Sequence, residues 1–134
     1  MIILDTSFLI DALTGPRRSA DALRRAIERG ERMLVPALVQ YEWLRGPRLP
    51  EELAAKEALF PAAVALPFGA TEAALAARLY RSVRNPRGRE IDLAIAAFAL
   101  LRDATLWTLN LQDFSDVPGL RLLSKTGYEQ TPSG

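Results

Sequence analysis

Short apolar runs alternate along this chain with longer segments of helical composition, and this alternation is what most limits the folds open to it. We predict that the apolar runs are strands: IIL (2–4), RMLVP (32–36), AVALP (63–67), TLWTL (105–109) and LRLLS (120–124). The segment 90–104 is apolar on nearly all sides, which is typical of a buried helix. Strands that alternate with helices predict a parallel sheet covered on both faces, a three-layer α/β/α domain.

The size and composition of the chain are those of an ordinary globular protein. It has 134 residues, of which 49% are hydrophobic and 25% charged. We expect a single domain over residues 1–134, with only the tail KTGYEQTPSG (125–134) poorly ordered and its last few residues free. No apolar run reaches the ~20 residues of a membrane span, and no basic segment of a signal peptide begins the chain. We therefore expect a cytoplasmic protein that contacts no membrane.

Two residue types are missing, and their absence excludes several kinds of site. With no cysteine there is no disulfide, thiolate metal site or thiol nucleophile. With no histidine, a Ser-His-Asp triad and the usual zinc sites are excluded. Chemistry near neutral pH must then rest on carboxylates, lysine, tyrosine or a metal held by oxygen ligands. The net charge of +1 does not by itself indicate nucleic-acid binding.

Four acidic residues occur where a parallel sheet would bring them to one edge. Asp5 directly follows the first predicted strand, and Asp113 follows the fourth. Glu42 interrupts the apolar stretch LVQYEWL, and Asp92 lies in the first turn of the predicted buried helix. In open α/β sheets, ligands bind outside the carboxyl ends of the strands. These positions therefore predict a site.

Each acid also has an ordinary structural interpretation. Asp5 and Asp92 suit helix N-caps. Glu42 suits a solvated helix face, and Asp113 suits a turn. The functional interpretation depends on their coincidence, because four carboxylates brought together repel one another unless a divalent cation neutralises them. Oxygen ligands favour Mg²⁺ or Mn²⁺, and such ions activate water and stabilise charge on phosphate. This chemistry points to phosphodiester hydrolysis.

Four segments that contain these acids carry a resemblance to a known family. LDTSFLI, PALVQYEWLRG, REIDLAIAAFAL and WTLNLQDFSDVPGL resemble, in order and spacing, the acidic motifs of PIN-domain ribonucleases, above all the VapC toxins of VapBC toxin–antitoxin pairs. The resemblance implies a sheet of strand order 3-2-1-4-5 and a toxin that hydrolyses RNA as a metal-dependent endoribonuclease. It also implies a homodimer and inhibition by a cognate antitoxin protein.

The resemblance assigns roles to particular residues. It implies that the catalytic acids, which would also bind Mg²⁺ or Mn²⁺, are Asp5, Glu42, Asp92 and Asp113. The fourth position varies in the family, and Asp116 competes with Asp113 for it. The polar positions that usually line the site are matched by Thr6, Thr108 and Asn110.

The densest basic run of the chain, RSVRNPRGRE (81–90), precedes Asp92. It is either a solvated loop or a surface that follows the RNA backbone, and in the second case Arg84, Arg87 and Arg89 would bind substrate. An excess of apolar bulk on one predicted helix and beyond it favours a dimer contact formed by Tyr41, Trp43, Leu44 and Leu49. The alternative function is a non-catalytic PIN-like module that binds RNA or protein.

Overall fold

The structure is a computed structural model that describes residues 1–123 and the strand 129–130. Within these residues the strands are β1 (Ile2–Leu4), β2 (Met33–Leu34), β3 (Thr105–Trp107), β4 (Arg121–Leu123) and β5 (Glu129–Gln130). The helices of the same part of the chain are α1 (Thr6–Leu13), α2 (Ala20–Glu28), α3 (Ala37–Arg45), α4 (Pro50–Leu59), α5 (Ala70–Ser82) and α6 (Glu90–Leu101). Short 3₁₀ turns lie at Ala62–Val64 and Leu111–Asp113.

The strands of the described chain form one sheet in the order β2-β1-β3-β4-β5. All neighbouring pairs are parallel except β4 and β5, which are antiparallel. Ile3 in β1 pairs with Leu34 on one side and Leu106 on the other. Ile3 and Leu106 are fully buried, as expected for parallel strands covered on both faces. The predicted α/β class and the order of the first, second, fourth and fifth predicted strands are confirmed.

The third predicted strand, 63–67, is largely replaced by a turn. The N–H groups of Val64 and Ala65 bond back to Pro61 and Ala62, so they are not available to the sheet. Leu66 alone reaches the sheet edge, where it forms an isolated parallel bridge with Pro36. The bridge consists of two bonds, from Leu66 N–H to the Val35 oxygen at 2.9 Å and from Ala37 N–H to the Leu66 oxygen at 2.7 Å. The segment keeps its expected place beside the second strand but not its expected extent.

The antiparallel strand β5 was not predicted, because its residues lie in a tail whose composition indicated little order. Apart from Glu129–Gln130, the tail 125–134 that was expected to be poorly ordered lies outside the described part of the chain. Among the described helices, none combines the length and apolar character needed to cross a bilayer.

The buried helix α6 is the centre of the packing. It contacts β1 and β3 on one side and α5 on the other, and its residues from Leu93 to Ala99 are all buried. Helix α1 is held at its start by Phe8, whose ring stacks on Trp107 of β3 with centroids 3.9 Å apart. This contact places the first turn of α1 against the carboxyl end of β3, so that residues 5–7 and 108–110 meet.

Candidate active site

Asp5 is a buried carboxylate that does not cap the helix it precedes. It stands at the N-cap position of α1, yet its side chain makes no capping hydrogen bond to that first turn, all of which lies within the described residues. Instead, Oδ2 accepts hydrogen bonds of 2.7 Å from both Ser7 Oγ and Thr108 Oγ1. The residue is only 3% exposed. The capping interpretation is therefore wrong for the side chain.

The two hydroxyls that bind Asp5 are themselves oriented by the backbone. The N–H of Leu109 donates to Ser7 Oγ at 3.0 Å, and the N–H of Asn110 donates to Thr108 Oγ1 at 2.9 Å. Each hydroxyl has a single proton to donate, and its short bond to Asp5 uses that proton. The network thus runs in one direction, from backbone N–H through hydroxyl to carboxylate, and it fixes the orientation of Asp5.

Burial and hydrogen bonding act in opposite directions on Asp5. Desolvation raises the pKa of Asp5 above its ordinary value, and the negative charge of Glu42 adds to the rise. The hydroxyls of Ser7 and Thr108 partly offset this effect, because they stabilise the ionised form and so lower the pKa. The site therefore contains a carboxylate that burial makes costly to ionise and that two hydroxyl donors stabilise in its charged form.

Glu42 is joined to the start of α1 from the neighbouring helix α3. Thr6 Oγ1 donates a hydrogen bond to Glu42 Oε1, and the exposed Arg45 guanidinium lies 3.4 Å from Oε2. Thr6 and Ser7, consecutive residues of α1, therefore each hold a different carboxylate. The aspartate-threonine-serine sequence at the strand–helix junction positions two acids at once.

Asp92 lies in the first turn of α6, and the other three acids affect its pKa. Partial burial raises its pKa to about 6, and the negative charges of Asp5, Asp113 and Glu42 contribute in that order. The cation of Arg89 opposes the rise. Three acids from separate parts of the sequence thus lie close enough to Asp92 for their charges to raise its pKa.

Arg89 forms a clasp between the basic loop and the segment that contains Asp113. Its guanidinium donates to both oxygens of Asp116, at 2.6 and 3.0 Å, and to the backbone oxygen of Asp113 at 2.8 Å. This pairing lowers the pKa of Asp116 and raises that of Arg89. Arg89 was expected to bind substrate, but these contacts engage both of its terminal nitrogens. We therefore assign it a structural role.

The other predicted substrate-binding residues differ in exposure. Thr108 is fully buried, so its hydroxyl serves Asp5 and is out of reach of a bound RNA. Thr6 is half-buried and engaged with Glu42. Asn110, Arg84 and Arg87 are exposed.

Ser7 is the site residue that the sequence analysis missed. Its hydroxyl contacts Asp5, Thr108 and the backbone of Leu109. The signal that could have revealed it is a second hydroxyl residue two positions after an aspartate at a strand–helix junction. Such a residue can turn back to the carboxylate, because the two side chains lie on neighbouring parts of the first helical turn.

The donor chemistry of the cluster fits a hard divalent cation. All four acids supply carboxylate oxygens, and their mutual repulsion at Asp92 is what a bound cation would relieve. The described residues contain no group of three or more acidic side chains already arranged to hold a metal ion. Asp113 is exposed and Asp92 only half-buried, so binding would draw side chains at the open edge of the cluster together.

The sheet order and the acidic edge together define the class of fold, and comparison with known proteins agrees. Residues 2–120 match the PIN domain family, so this chain belongs to that family. It is 37% identical over 123 residues to Ribonuclease VapC19 of Mycobacterium tuberculosis, a match that covers 90% of this chain and 98% of that relative. The resemblance to VapC toxins that the acidic motifs indicated is thereby confirmed.

Solved structures with lower sequence identity share the fold. A toxin–antitoxin complex from Klebsiella pneumoniae matches with a TM-score of 0.69 at 22% identity, covering 93% of this chain and 98% of that one. A DNA-bound VapBC from Salmonella typhimurium matches with a TM-score of 0.71 at 21% identity, covering 92% and 97%.

Proposed function

We propose that this protein is a metal-dependent endoribonuclease of the cytoplasm and the toxin component of a type II toxin–antitoxin system. The observation that carries the proposal is the buried, hydroxyl-held Asp5 beside Asp92, whose pKa is raised by burial and by the charges of Asp5, Asp113 and Glu42. Such mutual repulsion is retained at functional sites and is unfavourable elsewhere. A relative named as a ribonuclease, 37% identical over nearly the whole chain, supports the same conclusion.

The four acids are the proposed ligands for Mg²⁺ or Mn²⁺. When bound, the cation would activate a water molecule and stabilise the negative charge that develops on the phosphate. Asp5 and Glu42 are held in place by hydroxyls, whereas Asp92 and Asp113 lie at the open side. Asp113 is preferred to Asp116 as the fourth acid, because Asp116 is ion-paired with Arg89.

Substrate contacts are proposed for the exposed polar groups around the acids. Thr6 and Asn110 border the carboxylates, and Arg84 and Arg87 follow the RNA backbone. Ser7 and Thr108 are positioning residues, since they act on the substrate only through Asp5.

A cognate antitoxin protein is the proposed inhibitor. The structural neighbours from Klebsiella pneumoniae and Salmonella typhimurium are toxin–antitoxin assemblies. An antitoxin arginine placed among the carboxylates would supply a planar cation that can bind a carboxylate through two hydrogen bonds. It would then compete with the metal for the same charges.

A homodimer is proposed through apolar side chains on α3, the following loop and α4. Tyr41, Leu44, Leu49 and Leu53 are exposed, with Leu44 and Leu49 each 56% accessible. We call these four residues the α3–α4 apolar face. Trp43 was expected to belong to it, but its side chain is fully buried within the protomer. The face is thus formed by the side chains around Trp43.

The main alternative is a PIN-like module that binds RNA or protein without cleaving it. Such a module would have no use for repelling carboxylates, so the raised pKa of Asp92 favours the enzyme. Titration with Mn²⁺ separates the two, because the enzyme should bind the ion and the binding module should not.

A circular RNA tests the proposal directly, since only an endonuclease can open a molecule without ends. We expect the purified protein to linearise it in Mn²⁺ and to leave it intact in EDTA. Asp92→Asn should abolish cleavage. Asp21→Asn is the matched control, because Asp21 also lies in the first turn of a helix but is exposed and paired with Arg24. Absence of Mn²⁺-dependent cleavage, or equal loss in both variants, would refute the proposal.

A further inference from the structure

Two adjoining grooves lie beside the carboxyl-terminal half of α5. The first, of about 500 Å³, has apolar walls formed by Phe68, Ala76, Tyr80 and Ala94. The second, of about 460 Å³, lies against the loop that contains Arg84 and Arg87 and shares Tyr80 with the first. Both are large enough for a small-molecule-sized group, for which pockets of about 300–1,000 Å³ are usual. Tyr80 therefore lies between the two grooves, and its side chain is half-buried against the core.

The rim of the grooves carries positively charged side chains that lack hydrogen-bond partners in the described part of the chain. Arg81 lines the first groove, and Arg84 and Arg87 line the second. All three are exposed, and none of their side chains forms a hydrogen bond or ion pair with another residue in the described part of the chain. The acid on this rim, Glu90, has one carboxylate oxygen engaged by the N–H of Gly88 at 3.2 Å. Three free cations thus face a space that has one acid.

The grooves are joined to the candidate active site through the Arg89 clasp. Arg89 contacts the backbone oxygen of Asn85, which lines the second groove, and the backbone oxygen of Asp113. The loop that bears the free arginines is therefore tied to the segment that bears the fourth acid.

We propose that the two grooves bind single-stranded RNA, with a base stacked on Tyr80 and the neighbouring phosphates paired with Arg84 and Arg87. The inference rests on the proposed ribonuclease function and adds the place where the substrate strand is held. An aromatic platform within a row of unpaired cations matches a polyanion whose units each carry a flat π face. A peptide would use the apolar walls but would leave the three cations without partners unless it were acidic.

Substitution of Tyr80 and substitution of the arginines should change RNA binding in different ways. Affinity for a short labelled single-stranded RNA is measured by fluorescence anisotropy in the Asp92→Asn background, which should leave the RNA intact. Tyr80→Leu removes the stacking surface but keeps apolar bulk, so we expect binding roughly tenfold weaker with an unchanged salt dependence. Tyr80→Phe keeps the ring and should bind like the parent protein. This pair separates stacking from a general effect on folding.

Replacement of Arg84 and Arg87 by glutamine should change the salt dependence instead. Each phosphate contact on a single strand contributes about 0.7 to the slope of log affinity against log salt, so the double variant should lose about 1.4. Arg25→Gln with Arg29→Gln removes the same charge from exposed positions in and just after α2 and should leave the slope nearly unchanged.

Three results would overturn the inference, and only the third would also refute the proposed function. If the wild type cleaves circular RNA while the Tyr80→Leu and arginine variants bind RNA like the parent, the grooves are not its binding site. If these variants instead lose affinity only for a purified cognate antitoxin, the grooves bind that protein. If the wild type neither binds nor cleaves RNA, both the ribonuclease proposal and this inference are refuted.

Discussion

Thr108 donates a hydrogen bond of 2.7 Å to the carboxylate of Asp5, although 103 residues separate the two in the sequence. The bond crosses from the end of β3 to the start of α1, and it is oriented by the N–H of Asn110 on the hydroxyl oxygen. It stabilises a carboxylate that burial makes difficult to ionise. The residue after the strand end therefore stabilises the charged form of Asp5.

Thr108→Val should make Asp5 harder to ionise. Loss of one of its hydroxyl donors raises the pKa of Asp5 further, so a higher pH is needed to produce the charged form that holds a cation. We expect the acidic limb of the pH–rate profile for RNA cleavage to move to higher pH. Thr105→Val, a buried threonine in β3 at the opposite end of the sheet, is the control. An unshifted limb in Thr108→Val, or equal shifts in both variants, would contradict this role.

The raised pKa of Asp92 predicts how the stability of the metal-free protein depends on pH. Its native pKa of about 6 lies above the ordinary 3.8, so the native state binds this proton more tightly than the unfolded state. The free energy of unfolding in EDTA should consequently fall as pH rises from 4 through 6. Asp92→Asn should show a flatter dependence, and Asp21→Asn should behave like the wild type. Melting temperatures across this range provide the measurement, and parallel curves for wild type and Asp92→Asn would disprove the coupling.

The Arg89 clasp should be measurable as a pairwise interaction. A double-mutant cycle with Arg89→Gln and Asp116→Asn should give a coupling of ~0.5–1 kcal/mol in chemical denaturation, because the pair is partly buried and doubly hydrogen-bonded. Arg89→Gln should also lower kcat more than Asp116→Asn, since it alone breaks the bond to the Asp113 backbone. The exposed Arg24–Asp21 pair, treated in the same way, should show coupling near zero. Equal coupling energies in the two cycles would show that the Arg89–Asp116 pair stabilises the fold no more than an exposed ion pair does.

Leu44→Glu should prevent association through the α3–α4 apolar face. Leu44 is exposed in the protomer, so the change should leave folding intact while burying an unpaired charge in any dimer contact. Sedimentation at micromolar concentration should show the wild type as a dimer and the variant as a monomer. Ile27→Glu, at an exposed apolar position on α2, should remain dimeric. A monomeric wild type would rule out this assembly.

Much of the fold could be predicted because buried helices and strands have largely apolar sequences. Helix α6 is apolar on nearly every side, and it proved to be covered by the sheet and by α5. The stretch 63–67 shows the limit of this argument. It has the composition of a strand, but its pairing depends on which N–H groups remain free, and the turn at Ala62–Val64 uses them.

The sequence indicated the candidate acids but not the side chains that hold them in place. Asp5 and Asp92 were evident because each interrupts apolar sequence, which is costly without a purpose. The roles of Ser7 and Arg89 depend on contacts across the fold, with Thr108 in one case and Asp116 in the other. A hydroxyl or a guanidinium is common on any surface, so the sequence alone does not distinguish the ones that hold an acid in place.

Asp5→Asn provides the most direct test of the proposed metal-dependent cleavage. Asparagine keeps the shape of the side chain and an oxygen that can accept the hydroxyls of Ser7 and Thr108, but it removes the charge. In EDTA the variant should equal or exceed the wild type in stability, by up to ~1–2 kcal/mol, because repulsion among the carboxylates is relieved. In millimolar Mn²⁺ the wild type alone should gain stability from binding.

The decisive measurement is the rate at which Asp5→Asn linearises circular RNA in millimolar Mn²⁺, with its melting curve in EDTA as evidence that it is folded. We expect a folded variant without detectable cleavage, because Asp5 is proposed to hold the cation that the reaction requires. Cleavage at a rate close to that of the wild type would contradict the assignment of Asp5 as a metal ligand. An inactive variant that is also markedly less stable in EDTA would contradict it too, since Asp5 would then be holding the fold.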